Sequence, residues 1–377
     1  MEFRVNKNCF HQALSAVGHA ISLKTTASIL SGIKIVANDN HLLIIGSNSD
    51  IIIEKAIPGM IDGVRVLEVN DKGSVVLPAK YLRDIIYKLS DDIHVKLNAN
   101  HSVTIKSAEI VTDLNGLNSG EYPDLPLLDD AVTIEVRSEE FLEIVKQTAF
   151  AVSNSESRPV LAGVNMTFRD NVLSCVATNS HRLASSELSL ETKVTGSFIV
   201  PSKSLNEWTK LMNEGEDIVH IIISKSYIGF KSNHISLFSR LIEGSYPNVM
   251  GLLPKDPKTV IAVDTDQLIK GIDRACLFAR GGRNNNVHLE IVDCTKLRIS
   301  SNSTECGKIE EYQTIKSIKG EGEVSITLNG YFLMDALKVI KEKEVKLSIS
   351  GAVKPVLIEP GNGAASHFHL ISPVRSS

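Results

Sequence analysis

The sequence repeats one pattern of secondary structure three times along its 377 residues. In each copy an amphipathic helix leads through a polar turn into a strand, a strand–turn element follows, and a third motif opens a second helix. The strand–turn element is clearest at Ile45–Asp50, Val176–His181 and Ile299–Thr304. Successive copies lie roughly 125 residues apart, so the pattern predicts three repeats with the bounds 1–126, 127–254 and 255–377.

The residue pattern inside each repeat predicts the fold class. Leu82, Ile85, Ile86 and Leu89 follow the i, i+3, i+4, i+7 spacing of a helix with one buried face. Alternating runs rich in β-branched residues, such as the one at 325–328, are typical of strands. Two helices and many strands per repeat predict an α+β fold, in which both helices pack on one face of an antiparallel sheet.

Composition excludes several classes of protein. Hydrophobic residues make up 43% and charged residues 22% of the chain, which is typical of folded proteins. The net charge of -4 argues against a protein that coats nucleic acid with its whole surface. Apolar runs are strand-sized, the N-terminal residues lack the apolar core of a signal peptide, and the five cysteines are scattered. We therefore expect a reduced cytoplasmic protein without disulfides or a zinc site.

Catalytic motifs are missing from the sequence. It contains no G-x-x-x-x-G-K-[ST], G-x-S-x-G or H-E-x-x-H, and the glycine-rich segment 361–366 precedes a strand-like run, which favours a hairpin loop over a phosphate cradle. His367 and His369 have the spacing of metal ligands on a strand, but a surface or interface pair is favoured because no third ligand is near in sequence. We expect no enzyme activity, metal or cofactor.

Positive charge is concentrated on the predicted helices. The predicted helical segments are 10–24, 79–89, 139–152, 203–213, 266–280 and 330–343. Five of the six are net positive, whereas the remainder of the chain is acidic. Solvated lysines on helix surfaces explain part of this asymmetry. A basic helical surface also suits sequence-independent contact with the phosphates of duplex DNA.

The chain resembles the bacterial DNA polymerase sliding clamps, the beta subunits of the replicative polymerase. The matching motifs are Gly32-Ile33, Glu121–Pro126, Thr178–Ala184, Ser239–Pro247 and Ser372–Arg375. The resemblance implies a head-to-tail homodimer that closes into a ring of six domains, with the helices lining the hole. It also implies a nucleoid-associated processivity factor that encircles duplex DNA and is opened by an ATP-driven clamp loader. Such a factor binds polymerases and repair proteins through short apolar peptide motifs.

The resemblance carries over three sets of residues by position. The DNA-facing set is Lys24, Lys80, Arg83, Lys203, Arg280, Arg283, Lys338 and Lys341. The peptide-pocket set is Leu161, Thr178, Ser180, His181, Arg182, Leu183, Pro247, Leu252, Val353, Pro355, Leu370, Ser372, Pro373, Val374 and Arg375. The dimer-interface set is Thr112, Leu277 and Phe278.

Three residues depart from the family pattern. Asn179 stands where the family usually has Asp, Ser372 replaces an apolar residue of the pocket, and Thr112 stands where many members place Phe. These departures leave open whether the chain is a main replicative clamp or a diverged second copy. An alternative function is a clamp-like adaptor that binds client peptides without stably encircling DNA, and a third is an enzyme with an unrecognised site.

Overall fold

The computed structural model describes residues 1–22, 27–126, 130–155, 157–212, 218–254, 256–279, 285–305, 307–361 and 366–374. The chain divides into two compact units. The first compact unit contains Met1–Glu139 and Lys203–Leu241, and the second contains Glu140–Ser202 and Ile242–Ser377.

Six α-helices lie within the described residues, at the positions of the six predicted helical segments. They are α1 (Lys7–Gly18), α2 (Ala79–Lys88), α3 (Ser138–Thr148), α4 (Ser202–Leu211), α5 (Thr265–Ala279) and α6 (Gly330–Lys338). Two of them begin after an asparagine cap. The side-chain oxygens of Asn6 and Asn329 accept hydrogen bonds from the backbone N–H groups of the second and third residues of α1 and α6. None of the helices in the described segments combines the length and apolar character needed to cross a membrane.

The strands are short and numerous. In chain order they are β1 (Glu2–Val5), β2 (Gly32–Ala37), β3 (His41–Ser47), β4 (Ile51–Pro58), β5 (Met60–Ile61), β6 (Val64–Arg65), β7 (Leu67–Asp71), β8 (Gly73–Pro78), β9 (Ile93–Leu97), β10 (Ser102–Ser107), β11 (Ile110–Asn115), β12 (Val132–Arg137), β13 (Gly163–Arg169), β14 (Val172–Thr178), β15 (Arg182–Ser189), β16 (Gly196–Pro201), β17 (Ile218–Ile223), β18 (Tyr227–Ser232), β19 (Ile235–Arg240), β20 (Thr259–Asp264), β21 (Asn286–Val292), β22 (Lys296–Ser303), β23 (Gly307–Thr314), β24 (Ser317–Gly320), β25 (Ser325–Asn329), β26 (Glu344–Ile349), β27 (Val356–Pro360) and β28 (His367–Ile371). Short 3₁₀ turns lie at Ser28–Ser31, Ala99–His101, Ser119–Glu121, Ala149–Ala151, Pro159–Ala162 and Met250–Leu252.

Each compact unit is built on two main sheets. In the first unit the strand orders are β11-β10-β9-β1-β7 and β12-β17-β18-β19-β4-β3-β2-β8, with β5 and β6 forming a separate hairpin. In the second unit they are β16-β13-β14-β15-β28-β27-β26-β20-β24 and β23-β22-β21-β25. The paired strands run antiparallel, which confirms the predicted α+β class.

The helices bury their apolar faces against these sheets. In the first unit α1 packs on β2, β3 and β4 and contacts α2, and its Phe10 and Leu14 are fully buried. In the second unit α5 packs on β20–β23 and contacts α6, with Leu268, Ile272 and Leu333 fully buried. Burying each such side chain contributes about 1.5–3 kcal/mol, so the helix–sheet interfaces stabilise each unit.

Consecutive repeats share sheets. Strand β19 of the second repeat pairs with β4 of the first, with Ser239 opposite Ile51. Strand β15 of the second repeat pairs with β28 of the third, with Arg182 opposite Ile371. Each compact unit therefore contains strands from two repeats, and the repeat bounds 1–126, 127–254 and 255–377 stay a prediction from sequence.

The expectation of a surface or interface position for His367 and His369 is wrong, because both side chains are buried in the second compact unit at 5% and 1% exposure. They lie on β28, an inner strand between β15 and β27, and share a face with Ile371, which belongs to the helix-side core. Their rings are 5.5 Å apart, and the His369 ring lies 5.6 Å from that of Phe150. Burial lowers the pKa of His369 to about 3 and also lowers that of His367.

These buried histidines predict a loss of stability in mild acid. A histidine whose pKa is about 3 in the folded state and about 6.5 in the unfolded state binds its proton only after unfolding. The contribution of this histidine to the free energy of unfolding is fully present above pH ~6.5 and falls as the pH decreases toward 3. At pH 5 the free energy of unfolding of the second compact unit should be about 2 kcal/mol lower than at pH 7.5 from His369 alone. Urea unfolding at the two pH values measures this difference in the free energy of unfolding.

The matched variants for this measurement are His369→Phe, which removes the buried ring, and His181→Gln, which replaces an exposed histidine of the same unit. His369→Phe should reduce the difference between the two pH values, and His181→Gln should leave it unchanged. Equal pH dependence in all three proteins would contradict the assignment.

Candidate functional site

The turn between β14 and β15 is held by the side chain of Asn179. Its Oδ1 accepts hydrogen bonds from the backbone N–H groups of His181 and Arg182, both at 3.0 Å, and Ser180 adopts a left-handed conformation with φ of 76°. Asn48 forms the same turn in the first repeat, accepting from the N–H groups of Asp50 and Ile51 at 2.8 and 2.9 Å. Asparagine therefore supplies the acceptor oxygen that this turn needs.

Thr178 joins the turn to the segment that follows β19. Its hydroxyl donates to the carbonyl of Arg182 at 2.6 Å and accepts from the N–H of Ser180 at 3.2 Å. Its own N–H donates to the Tyr246 hydroxyl at 3.0 Å. Burial raises the pKa of Tyr246 to about 12, so this hydroxyl stays protonated and uncharged at neutral pH. The turn is consequently rigid and fixed relative to Tyr246.

An apolar cluster lies beside this turn, on the sheet face opposite the helices. Leu183 on β15 and Leu370 on β28 are direct neighbours across the strand pair, whereas the next residue, Ile371, faces the helix-side core. The cluster consists of Val176, Leu183, Val249 and Leu370, with Tyr246, Leu253, Leu357 and Phe368 packed against it. Two residues of the predicted pocket, Leu183 and Leu370, are thus brought together from different repeats.

Exposed apolar side chains lie close in sequence to members of the cluster. Leu252 is 58% exposed and lies three residues after Val249, and Val353 is 72% exposed and lies four residues before Leu357 on β27. Pro247 is exposed as well, and Pro355 is half-buried. Apolar groups left in water beside a buried apolar cluster are typical of a surface that binds an apolar partner.

The segment after β28 approaches the same turn. The N–H of Ser372 donates to the carbonyl of His181 at 2.8 Å, and the N–H of Val374 donates to the carbonyl of Thr327 at 2.9 Å. Ser372, Pro373 and Val374 are half-buried, and Arg375 lies outside the described residues. Leu161 is buried in the Pro159–Ala162 turn, so the structure gives it a packing role.

Arg182 points away from the apolar cluster, toward the helices. Its Nη1 donates to Asp335 Oδ2 on α6 at 2.6 Å, and its Nη2 donates to the Phe150 carbonyl. The guanidinium stacks 4.5 Å from the ring centroid of Phe332 and 5.2 Å from that of Phe150. These contacts leave the side chain 11% exposed, so Arg182 anchors the pocket strand to α6, while the neighbouring His181 is exposed.

Sequence reasoning did not identify several members of the cluster. Val176, Tyr246, Val249, Leu357 and Phe368 were absent from the predicted pocket. The sequence could have identified Tyr246, because it lies in the Ser239–Pro247 motif. It could also have identified Val176, because residues two apart on a strand, such as Val176 and Thr178, face the same side of the sheet. Nothing in the sequence indicated Phe368, because its position depends on the pairing of β28 with β15.

The predicted DNA-facing residues lie mainly on helices. Lys80 and Arg83 on α2, Lys203 on α4 and Lys338 on α6 are exposed. Lys341 follows α6, since that helix ends at Lys338, and pairs with Glu143. Lys24, Arg280 and Arg283 lie outside the described residues. In the described part of the chain, no group of three or more His, Cys, Asp and Glu side chains is arranged to hold a metal ion.

Comparisons with known proteins cover the whole chain. Three family models match in order: the N-terminal domain of the DNA polymerase III beta subunit over residues 1–126, its central domain over 135–248, and its C-terminal domain over 250–375. The beta sliding clamp of Bacillus subtilis (strain 168) is 38% identical over 379 residues, and that of Staphylococcus aureus (strain Mu50 / ATCC 700699) is 37% identical over 380, each with 100% of both chains covered.

Solved structures agree with the sequence comparisons. The crystal structure of the DNA polymerase sliding clamp from Bacillus subtilis superposes with a TM-score of 0.96 at 37% identity, covering 100% of both chains. Because the family models span nearly the entire sequence and the relatives match over their full length, the chain belongs to the DNA polymerase III beta subunit family, the bacterial beta sliding clamps.

Proposed function

We propose that two copies of the chain close head to tail into a ring through β11 of one copy and β23 of the other. The pattern of strand pairing is the observation that supports this proposal. The described residues form six three-strand meanders: β2–β4, β9–β11, β13–β15, β17–β19, β21–β23 and β26–β28. The third strands of four of them pair within the chain, β4 with β19 and β15 with β28. The third strands of the other two, β11 and β23, each lie at the end of a sheet.

The two edge strands have surfaces suited to burial. Ile110, Val111 and Tyr312 on these strands are about half exposed. A sheet edge presents unpaired backbone groups that bind another strand readily. Thr112 lies on β11, and Leu277 is exposed on α5, the helix that packs against β23. These positions support the predicted interface set.

One of the two carboxylates on β23, that of Glu311, is neutralised from α5. Arg274 donates to Glu311 through Nε and Nη2 at 2.7 and 2.9 Å, and this pairing lowers the pKa of Glu311. A neutralised carboxylate lowers the electrostatic cost of bringing a second strand against this edge. The Arg274–Glu311 pair thus makes β23 a better partner for β11, whose Asp113 is also acidic.

The ring encloses duplex DNA. Two chains provide twelve helices, and helices about 10 Å across arranged side by side form a ring about 38 Å in diameter through their axes, with about 28 Å clear. A B-form duplex passes through that opening with a layer of water. The exposed Lys80, Arg83, Lys203 and Lys338 attract phosphates without reading bases, so the ring slides along the duplex.

The apolar cluster and its exposed rim, which consists of Leu252 and Val353, hold client proteins. A short peptide with apolar side chains buries them against Leu183, Leu370 and the rim residue Val353, and His181 is placed to hydrogen-bond its polar groups. The protein thereby tethers polymerases and repair proteins to DNA in the cytoplasm, after a clamp loader has opened the ring. In this role it contributes no catalysis of its own.

The ring predicts a dimer in solution with a mass of twice 41.1 kDa at micromolar concentration. Val111→Asp places a carboxylate in each of the two proposed interfaces and should weaken the dimer at least about tenfold, because burying an unpaired charge is costly. Val64→Asp is the matched control, since Val64 is equally exposed on β6, outside the interface. Sedimentation measures both. A monomer for the unmodified chain would favour the adaptor alternative.

Enclosure predicts that retention on DNA depends on topology. After loading onto circular DNA with a clamp loader, the protein should remain bound in high salt, whereas direct phosphate contacts weaken steeply with salt. Cutting the circle should release it. The triple variant Lys80→Glu, Arg83→Glu, Lys203→Glu should load poorly and remain a dimer.

The control with the same charge change is Lys72→Glu, Lys225→Glu, Lys319→Glu, three exposed lysines outside the helices. Equal loading defects in both triple variants would show that net charge alone matters. Release of the unmodified protein from intact circles by salt would contradict encirclement.

The pocket predicts that affinity depends on residue 372. A Gln-Leu-x-Leu-Phe-type peptide should bind with micromolar or weaker affinity, because its interface is small. Ser372→Leu should improve binding by about 0.5–1.5 kcal/mol through added apolar contact, and Val353→Asp should weaken it. Ser366→Leu, at the opposite end of β28, is the control. Fluorescence anisotropy of a labelled peptide measures binding by the unmodified chain and by the three variants. Unchanged or weaker binding by Ser372→Leu would refute the placement of Ser372 at the pocket.

A further inference from the structure

A cleft of about 500 Å³ lies between α1 and α2 in the first compact unit. The α1 side is formed by His11 and Gly18 and the α2 side by one face of that helix, with residues at i, i+3, i+4 and i+7. The lining is His11, Gly18, Ile21, Ala79, Lys80, Arg83, Asp84, Tyr87 and Lys88. This volume is within the range of cavities that bind small ligands.

The cleft is net positive. Lys80, Arg83 and Lys88 line it against a single carboxylate, Asp84. The Arg83 guanidinium lies across the backbone of Gly18, where a Cβ atom would come within 2.6 Å of Arg83 Nη1. Glycine at this position lets the guanidinium lie close to α1, on the wall of the cleft. The charge and its placement favour an anionic ligand such as a phosphate group.

The cleft also contains an exposed aromatic ring. Tyr87 is 67% exposed, and its ring lies 5.5 Å from that of His11 at an interplanar angle of 41°. An aromatic face open to solvent beside cations is the combination by which proteins hold unpaired bases and their phosphates. The bases of a duplex are stacked on one another and do not offer their faces to such a ring.

The equivalent helices of the other repeats lack this combination. Aligned on Leu82, Leu205 and Leu333, the position of Tyr87 is taken by Lys210 in α4 and Lys338 in α6. The position of Arg83 is taken by Asn206 and Met334. Those helices retain a cation that suits general phosphate contact, whereas the first repeat pairs a guanidinium with an aromatic ring.

We propose that the α1–α2 cleft binds one nucleotide of a single-stranded nucleic acid, with its phosphate at Arg83 and Lys80 and its base stacked on Tyr87. The inference rests on the proposed function in that Lys80 and Arg83 belong to the DNA-facing set. It adds that the first repeat distinguishes unpaired from paired strands, so that the ring contacts the single strand next to a primer–template junction.

The test measures binding of the full-length chain to a labelled oligo-dT and to a linear duplex of equal length by fluorescence anisotropy, without clamp loader. Tyr87→Ala should weaken oligo-dT binding by about fivefold, the scale of one lost stacking contact, and leave duplex binding unchanged. Tyr87→Phe retains the aromatic face and should bind oligo-dT like the unmodified chain.

Tyr81→Ala is the matched control, because Tyr81 is 64% exposed on the same helix and does not line the cleft. Equal effects of Tyr81→Ala and Tyr87→Ala, or no effect of Tyr87→Ala, would overturn the proposal. Displacement of oligo-dT by inorganic phosphate with equal potency from the unmodified chain and from Tyr87→Ala would reduce the cleft to an anion site and overturn it too. Linear oligonucleotides need no closed ring, so failure of the ring proposal would leave these outcomes unchanged.

Discussion

The pairing of third strands is the interaction on which the rest of this structure depends. A three-strand meander with one helix buries one face of its sheet but leaves its outer strand with unpaired backbone groups. Pairing β19 with β4 and β15 with β28 satisfies those groups over five residue pairs at each junction. The same pairing converts three similar repeats into two continuous sheets, one in each compact unit, and leaves β11 and β23 as the corresponding strands at sheet ends.

The candidate pocket is a consequence of the second of these junctions. The β15–β28 pair places Leu183 of the second repeat opposite Leu370 of the third, and it brings the N–H of Ser372 to the carbonyl of His181. Neither repeat alone could form the apolar cluster. Arg182, at the start of β15, contacts Asp335 on α6, so the pocket strand is tied to the helical side of the same sheet. Rigidity of the pocket thus derives from contacts on both sheet faces.

The sequence predicts the features that local periodicity determines, which are the helices and the fold class. It does not predict the features that depend on which strands pair. The α+β class and the six helices follow from apolar spacing, such as that of Leu82 and Ile86. The burial of His367 and His369 does not, because alternation places them on one face of β28 but says nothing of which strands flank it. For the same reason Leu183 and Leu370 were assigned to one pocket only through family resemblance, and the anchoring of Arg182 to Asp335 was not foreseen.

The first junction differs from the second at the residues beside the candidate pocket. The backbone is the same at both: Arg240 donates its N–H to the carbonyl of Asp50 at 3.0 Å, as Ser372 donates to that of His181 at 2.8 Å. The side chains differ, because the first junction has a charged residue at each of these positions, and the Arg240 guanidinium lies 5.6 Å from the centroid of the Tyr227 ring. The loop between β17 and β18 spans 224–226, whereas the loop between β26 and β27 spans 350–355 and carries the exposed Val353. A longer loop with an exposed apolar residue and an uncharged residue at 372 therefore distinguish the second junction from the first.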